Sequence, residues 1–169
     1  MRREKCTILL VEDDRDDQIL IQAGFRAIGV MDPLHVVDDG LQAISYTKGE
    51  GKYADRTKYP YPTVIMTDLK MPGADGFAVL EYLKSTPDFA IIPTTVFSAS
   101  EDLDDIKRSY ALGASSYHVK SQTTEGLRAQ LKILYDYWLT AEVPQIDVTG
   151  RQLQTQSKGK LGERFRRNH

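Results

Sequence analysis

"PTVIMTDLKMPGADGF", residues 62–77, carries Asp68 at the end of an apolar run and follows it with Met71-Pro72-Gly73. The run is short, rich in branched residues and bounded by proline and glycine, so it reads as a buried strand ending on a tight turn. Four other segments have the same form: "TILLVEDD" (7–14), "PLHVVDD" (33–39), "PTTVFSAS" (93–100) and "SSYHVKS" (115–121). Helical periodicity fills the intervals. Phe77, Leu80 and Leu83 form a stripe before Pro87; Leu103, Ile106 and Tyr110 form another that closes at Gly113. Leu127, Leu131, Leu134 and Trp138 follow 4, 3, 4 spacing, and the stretch from Arg15 to Ile28 is apolar enough to pack broadly before Gly29. The expected fold is α/β, a (βα)5 doubly wound parallel five-stranded sheet with helices on both faces and right-handed crossovers.

With 169 residues, 41% hydrophobic and 27% charged, the chain suits one compact domain and an appendage. A net charge of -2 argues neither for a general nucleic-acid binder nor for an acidic tail protein. Cys6 is the single cysteine, which excludes an intramolecular disulfide and suggests a small buried thiol. The apolar run before Glu12 is too short for a signal peptide or a membrane span, so a cytoplasmic location is expected.

In an open parallel sheet, ligands bind at the carboxyl ends of the strands, near the switch in strand order. Here those ends are Glu12-Asp13, Asp68, Ser98 and Lys120. Each has an ordinary structural reading: Asp13 or Asp14 could cap the first helix, Ser98 the fourth, and Lys120 could be a solvated charge. Together they suggest more. Clustered carboxylates raise one another's pKa unless a cation is present, and hard oxygen ligands suit Mg²⁺ (or Mn²⁺). Such an ion leaves positions for phosphate oxygens, with Lys120 supplying a second positive charge. Asp68 then has a reason to sit on its turn, as a nucleophile that takes a phosphoryl group.

"LLVEDD", "DLKMPGADG", "VFSA" and "YHVK", in this order and each at a strand end, resemble the receiver domains of two-component response regulators, the CheY-like, flavodoxin-like fold. The resemblance covers about residues 5–141 as the receiver domain and leaves 142–169 as a basic polar C-terminal tail without a separate effector domain. It implies that Asp68 is the phosphoacceptor. Glu12 and Asp13 would organise the metal together with Asp68, and the backbone carbonyl of Lys70 would complete the protein ligands. Ser98 would be the switch hydroxyl, followed by the small Ala99. Lys120 would be the active-site lysine, and Tyr117 the aromatic whose ring follows Ser98. The implied partner is a sensor histidine kinase, and the implied chemistry is limited to the chain's own phosphorylation and dephosphorylation, not that of an enzyme acting on others. "KGEGKYADRTKYPYP" (48–62) and "DDIKRSYALGASSYHVK" followed by "YDYWL" also resemble the single-domain regulators paired with bacterial phytochrome-type histidine kinases. The insertion has two readings: a partner surface, or a proline-anchored loop covering a helix end.

Two positions depart from the family pattern. Ser121 stands where proline usually follows the lysine; a cis non-proline bond costs about 3 kcal/mol, so either the site supports that cost or the loop differs. The Lys70 side chain would hang over the phosphoryl site and alter the rate of dephosphorylation. From Pro144 onward the chain is polar and basic, read here as a solvated tail and too apolar-poor for a DNA-binding module. Tyr135, Tyr137 and Trp138 suggest a homodimer through the face of the fourth helix, fifth strand and fifth helix. A flavodoxin-like cofactor binder would be repelled by Glu12-Asp13-Asp14, and an aspartyl-nucleophile phosphatase would want an acid at position 70. The alternative that stays open is a degenerate receiver acting as a phosphorylation-independent protein-binding module.

Overall fold

The structure, a computed structural model, describes residues 6–30 and 34–144. Five parallel strands, β1 (Ile8–Val11), β2 (Leu34–Val37), β3 (Val64–Thr67), β4 (Thr94–Ser98) and β5 (Ser116–Val119), lie in the order β2-β1-β3-β4-β5. The three interior strands are buried at every residue, as a strand covered on both faces must be, whereas the edge strands β2 and β5 are largely half-buried. Alternate side chains then feed two cores. Ile8 and Leu10 face α1 (Arg15–Ala27) and α6 (Thr124–Thr140) through Ile21, Phe25, Leu131, Leu134 and Trp138. Leu9 and Val11 face α2 (Gly40–Lys48) and α3 (Gly76–Ser85) through Ala43, Tyr46, Val79 and Leu83.

Polar caps set the helix starts. Asp14, Asp39, Asp75 and Asp102 accept from the backbone N–H groups of Asp17, Gln42, Ala78 and Asp104, respectively. Asp102, not Ser98, therefore caps α5 (Leu103–Ala111), and Asp14 is the cap of α1. Pro87, expected only to end α3, opens a one-turn helix of its own, α4 (Pro87–Ala90), at whose first position proline loses no needed hydrogen bond.

The stripe expected on α5 does not face the core. Leu103 is 80% exposed and Tyr110 51%, whereas Ser109 is fully buried and Asp105, Ile106 and Leu112 are half-buried. The helix sits on its small and polar face, which leaves its largest apolar residues outside. On α6 the opposite holds: Trp138 is buried and Tyr135 packs edge-on against Phe25, so much of the aromatic surplus expected there is core, with Ile133 and Tyr137 left exposed.

The insertion is ordered and covers a helix end. A 3-10 turn (Gly51–Tyr53) follows α2, and Tyr46, Tyr53 and Tyr59 pack ring against ring at 5.0–6.0 Å. Arg56 reaches back to the end of α2, donating to the carbonyls of Tyr46 (2.7 Å) and Thr47 (2.7 Å), while its guanidinium lies 4.2 Å from the Tyr61 ring centre. A cation at a helix C-terminus satisfies carbonyls that have no intrahelical partner.

No helix among the described residues is long and apolar enough to cross a membrane. Residues 145–169, most of the expected tail, lie outside the described residues.

Candidate functional site

β1 and β3 are neighbours whose chains leave toward opposite sides of the sheet, and the crevice between their carboxyl ends holds the acids. Glu12 directly follows β1 and is 1% exposed; its Oε1 accepts from the Asp14 N–H at 3.0 Å. Asp13 is exposed. Asp68 directly follows β3, where Asp68 Oδ1 accepts from the Leu69 N–H at 2.6 Å. The loop beyond returns through Gly73, at φ +74, and the Gly76 N–H closes it on the Leu69 carbonyl at 2.9 Å. A Cβ at Gly76 would fall on the Asp68 carbonyl oxygen and within 2.8 Å of the Leu69 Cα, so glycine is what lets α3 start this close to the aspartate.

Lys120 crosses from the end of β5 to the acids. Its Nζ donates to Glu12 Oε2 (2.7 Å), Asp17 Oδ2 (2.7 Å) and Asp68 Oδ2 (3.2 Å), and its side chain is 11% exposed. Burial works against its charge, but Asp17, Asp68 and Glu12 outweigh it and hold its pKa above the usual lysine value. Burial pushes Glu12 up to about 7, with Asp68 adding to the effect and Lys120 opposing it. The site thus combines a firmly charged ammonium with a carboxylate near its protonation midpoint at neutral pH.

One carboxylate oxygen from each of Glu12, Asp13 and Asp68 lies within 4.8 Å of the others. All are hard oxygen donors, and Asp13 opens to solvent, so the set fits a partly hydrated Mg²⁺ or Mn²⁺. A pH dependence follows for the metal-free protein. Glu12 is protonated more readily when folded than at its ordinary value of 4.5, so its contribution is fully present below pH 4.5 and is lost as pH rises through about 7. The limit is roughly 3 kcal/mol. Thermal melts in chelator should show this loss between pH 5 and 7.5 in the wild type and not in Glu12→Gln, and Mg²⁺ should stabilise more at the upper end.

Ser98, the last residue of β4, is buried, and its Oγ accepts from the Ser100 N–H at 3.2 Å. Tyr117 points its hydroxyl toward the same loop and donates to the Ser100 carbonyl at 2.8 Å. The Lys70 ammonium, expected over Asp68, instead pairs with Asp105 at 3.1 Å.

No peptide bond among the described residues is cis, so the Lys120-Ser121 bond is trans and the loop is built differently from the proline form. The Gln130 side chain does the holding: its Oε1 accepts from the Ser121 N–H at 2.9 Å and its Nε2 donates to the Val119 carbonyl at 2.6 Å. Proline at 121 would have no N–H to give.

Sequence reasoning missed Asp17, Gln18, Ser100, Asp105 and Gln130. Asp17 lies in the first turn of α1, and its position in "EDDRDDQ" was the available signal: the first turn of a helix stays close to the strand end that leads into it. The buried Gln18 ties the strand ends, donating to the Glu12 carbonyl (2.6 Å) and Asp38 Oδ1 (2.8 Å).

Comparison with known proteins agrees with this geometry. Residues 8–132 match the response regulator receiver domain family. The chain is 33% identical over 132 residues to response regulator Rcp1 of Synechocystis sp., covering 78% of this chain and 88% of that protein. The crystal structure of the phosphorylated cyanobacterial phytochrome response regulator RcpA superposes with a TM-score of 0.76 at 36% identity, over 83% of this chain and 99% of that one. The Mn²⁺-bound form of Rcp1 gives 0.74 at 32% identity, over 83% of this chain and 100% of that one. The chain belongs to the response regulator receiver domain family and resembles its phytochrome-associated members.

Proposed function

We propose that this receiver domain, spanning 5–141, accepts a phosphoryl group on Asp68 from the phosphohistidine of a sensor histidine kinase, of the phytochrome type by its similarities. The observation that carries this reading is the Lys120 ammonium reaching Asp68 and Glu12 together at the ends of β5, β3 and β1. An Asp68 carboxylate oxygen attacks phosphorus in line as the nitrogen–phosphorus bond breaks, and the imidazole leaves with the electron pair; water later cleaves the acyl phosphate to inorganic phosphate and free Asp68. Lys120 is placed to balance charge on the transferring oxygens. A divalent cation held by Glu12, Asp13, Asp68 and the Lys70 carbonyl would share that task, and the manganese-bound relative supports such an ion. Ser98 then bonds the phosphoryl group and Tyr117 follows it, leaving its bond to Ser100, so the face of α5, β5 and α6 carries the output.

That same face suits a homodimer. Leu103 and Tyr110 project from α5, Ile133 and Tyr137 from α6, on either side of the edge strand β5. The degenerate, phosphorylation-independent reading is disfavoured because the nucleophile, the lysine and the acids are assembled in one place.

The test is intact mass after incubation with acetyl phosphate and Mg²⁺, followed by borohydride reduction, which converts an aspartyl phosphate to homoserine. One phosphoryl adduct, lost with chelator and mapped to position 68, supports the reading. An unmodified protein beside a competent reference receiver overturns it.

A further inference from the structure

Asp105, on α5, contacts both the loop after β3 and the loop after β4, although no strand-end reading would select it. Its Oδ2 pairs with the Lys70 ammonium at 3.1 Å and accepts from Ser100 Oγ at 2.6 Å. Ser100 in turn is the hub of the loop between β4 and α5. Its N–H donates to Ser98 Oγ, its carbonyl accepts from Tyr117, and its Oγ accepts from the Asp102 N–H at 3.3 Å. A continuous set of contacts therefore runs from a residue two positions past Asp68, through Asp105, to Ser98, Tyr117 and the cap of α5. The two ends of the ion pair differ in setting: the Lys70 side chain is 68% exposed, whereas Asp105 is 18% exposed and held by its hydroxyl bond.

We propose that Asp105 is a positioning residue that withholds the Lys70 ammonium from Asp68, and that a phosphoryl group on Asp68 competes with Asp105 for that ammonium. The inference rests on Asp68 being the phosphoacceptor. A phosphoryl group adds roughly -1.5 to -2 charge, so it is a stronger partner for a lysine than one carboxylate is. Two residues of backbone span at most about 7 Å, within reach of a swinging lysine side chain. Linkage makes the competition reciprocal: whatever the new anion takes from the Lys70–Asp105 pair, the pair subtracts from binding of the anion. An exposed ion pair limits the effect to about two- to five-fold.

The experiment is binding of beryllofluoride, a non-covalent mimic of the phosphoryl group, to the full chain with Mg²⁺. Asp105→Asn should tighten binding about two- to five-fold, and the same change in a Lys70→Ala background should do no more than the loss of one charge nearby does. Asp104→Asn, on the same turn of α5 and exposed, corrects for bulk charge and should act equally in both backgrounds. A structural role for Asp105 would shift both backgrounds alike. Equal shifts, or none, overturn this inference while leaving phosphorylation of Asp68 standing; absence of beryllofluoride binding in every form overturns both.

Discussion

Asparagine at position 68 is expected to abolish the phosphoryl adduct, from near-complete modification with acetyl phosphate to none detectable by intact mass, with the fold preserved. The amide has no anionic oxygen to attack phosphorus, so the loss is chemical and not partial. The surroundings tolerate the change: the amide oxygen can still accept from the Leu69 N–H, and Lys120 retains Glu12 and Asp17. Removing one negative charge also relieves Glu12, whose pKa Asp68 helps to raise. Thermal stability of the metal-free variant should therefore hold within about 1 kcal/mol of wild type. A phosphoryl adduct that persisted on another residue of Asp68→Asn would remove Asp68 from its assigned role.

Gly76→Ala should cost stability instead. The new methyl would collide with the Asp68 carbonyl and crowd the Leu69 Cα at 2.8 Å, both rigid backbone at the join of β3 and its loop. Overpacking against atoms that cannot rotate away costs about 3 kcal/mol, or roughly 10 °C in Tm for a chain of this size. The shift needed to fit the methyl also moves Asp68, so on the proposed function phosphorylation should slow even where the variant stays folded. A Tm unchanged to within about 2 °C would mean that the approach of α3 to Asp68 is looser than described.

How much of this was legible in the sequence depends on the range of the contact that matters. Glu12, Asp13, Asp68, Ser98 and Lys120 could be read directly, because a buried parallel strand announces itself as an apolar run and the residue that ends it must lie on one rim of the sheet. Asp17 needed the start of α1. Asp105 and Gln130 needed more, since each folds back from its helix onto a loop, Asp105 onto Ser100 and Lys70 and Gln130 onto Val119 and Ser121, and a polar side chain on a helix carries no mark of which loop it will meet. The face of α5 was misread for a related reason. Periodicity finds a stripe, but Leu103 and Tyr110 lie outside on a helix whose buried position is Ser109, with Asp105 and Ile106 half-buried. Two large residues outvoted the small ones that are buried.

The Arg56 anchor bears on how the chain meets a protease. Residues 49–63 carry three basic residues, and by sequence Lys52, Arg56 and Lys58 are equal targets for trypsin. They are not equal in the fold. Trypsin must draw a basic side chain into its own pocket, and the Arg56 guanidinium is held by two carbonyls at the end of α2 and by the Tyr61 ring, whereas Lys52 and Lys58 stand exposed. Limited digestion should therefore nick after Lys52 or Lys58 first, and a cut after Arg56 should follow only when the cap of α2 has already come undone.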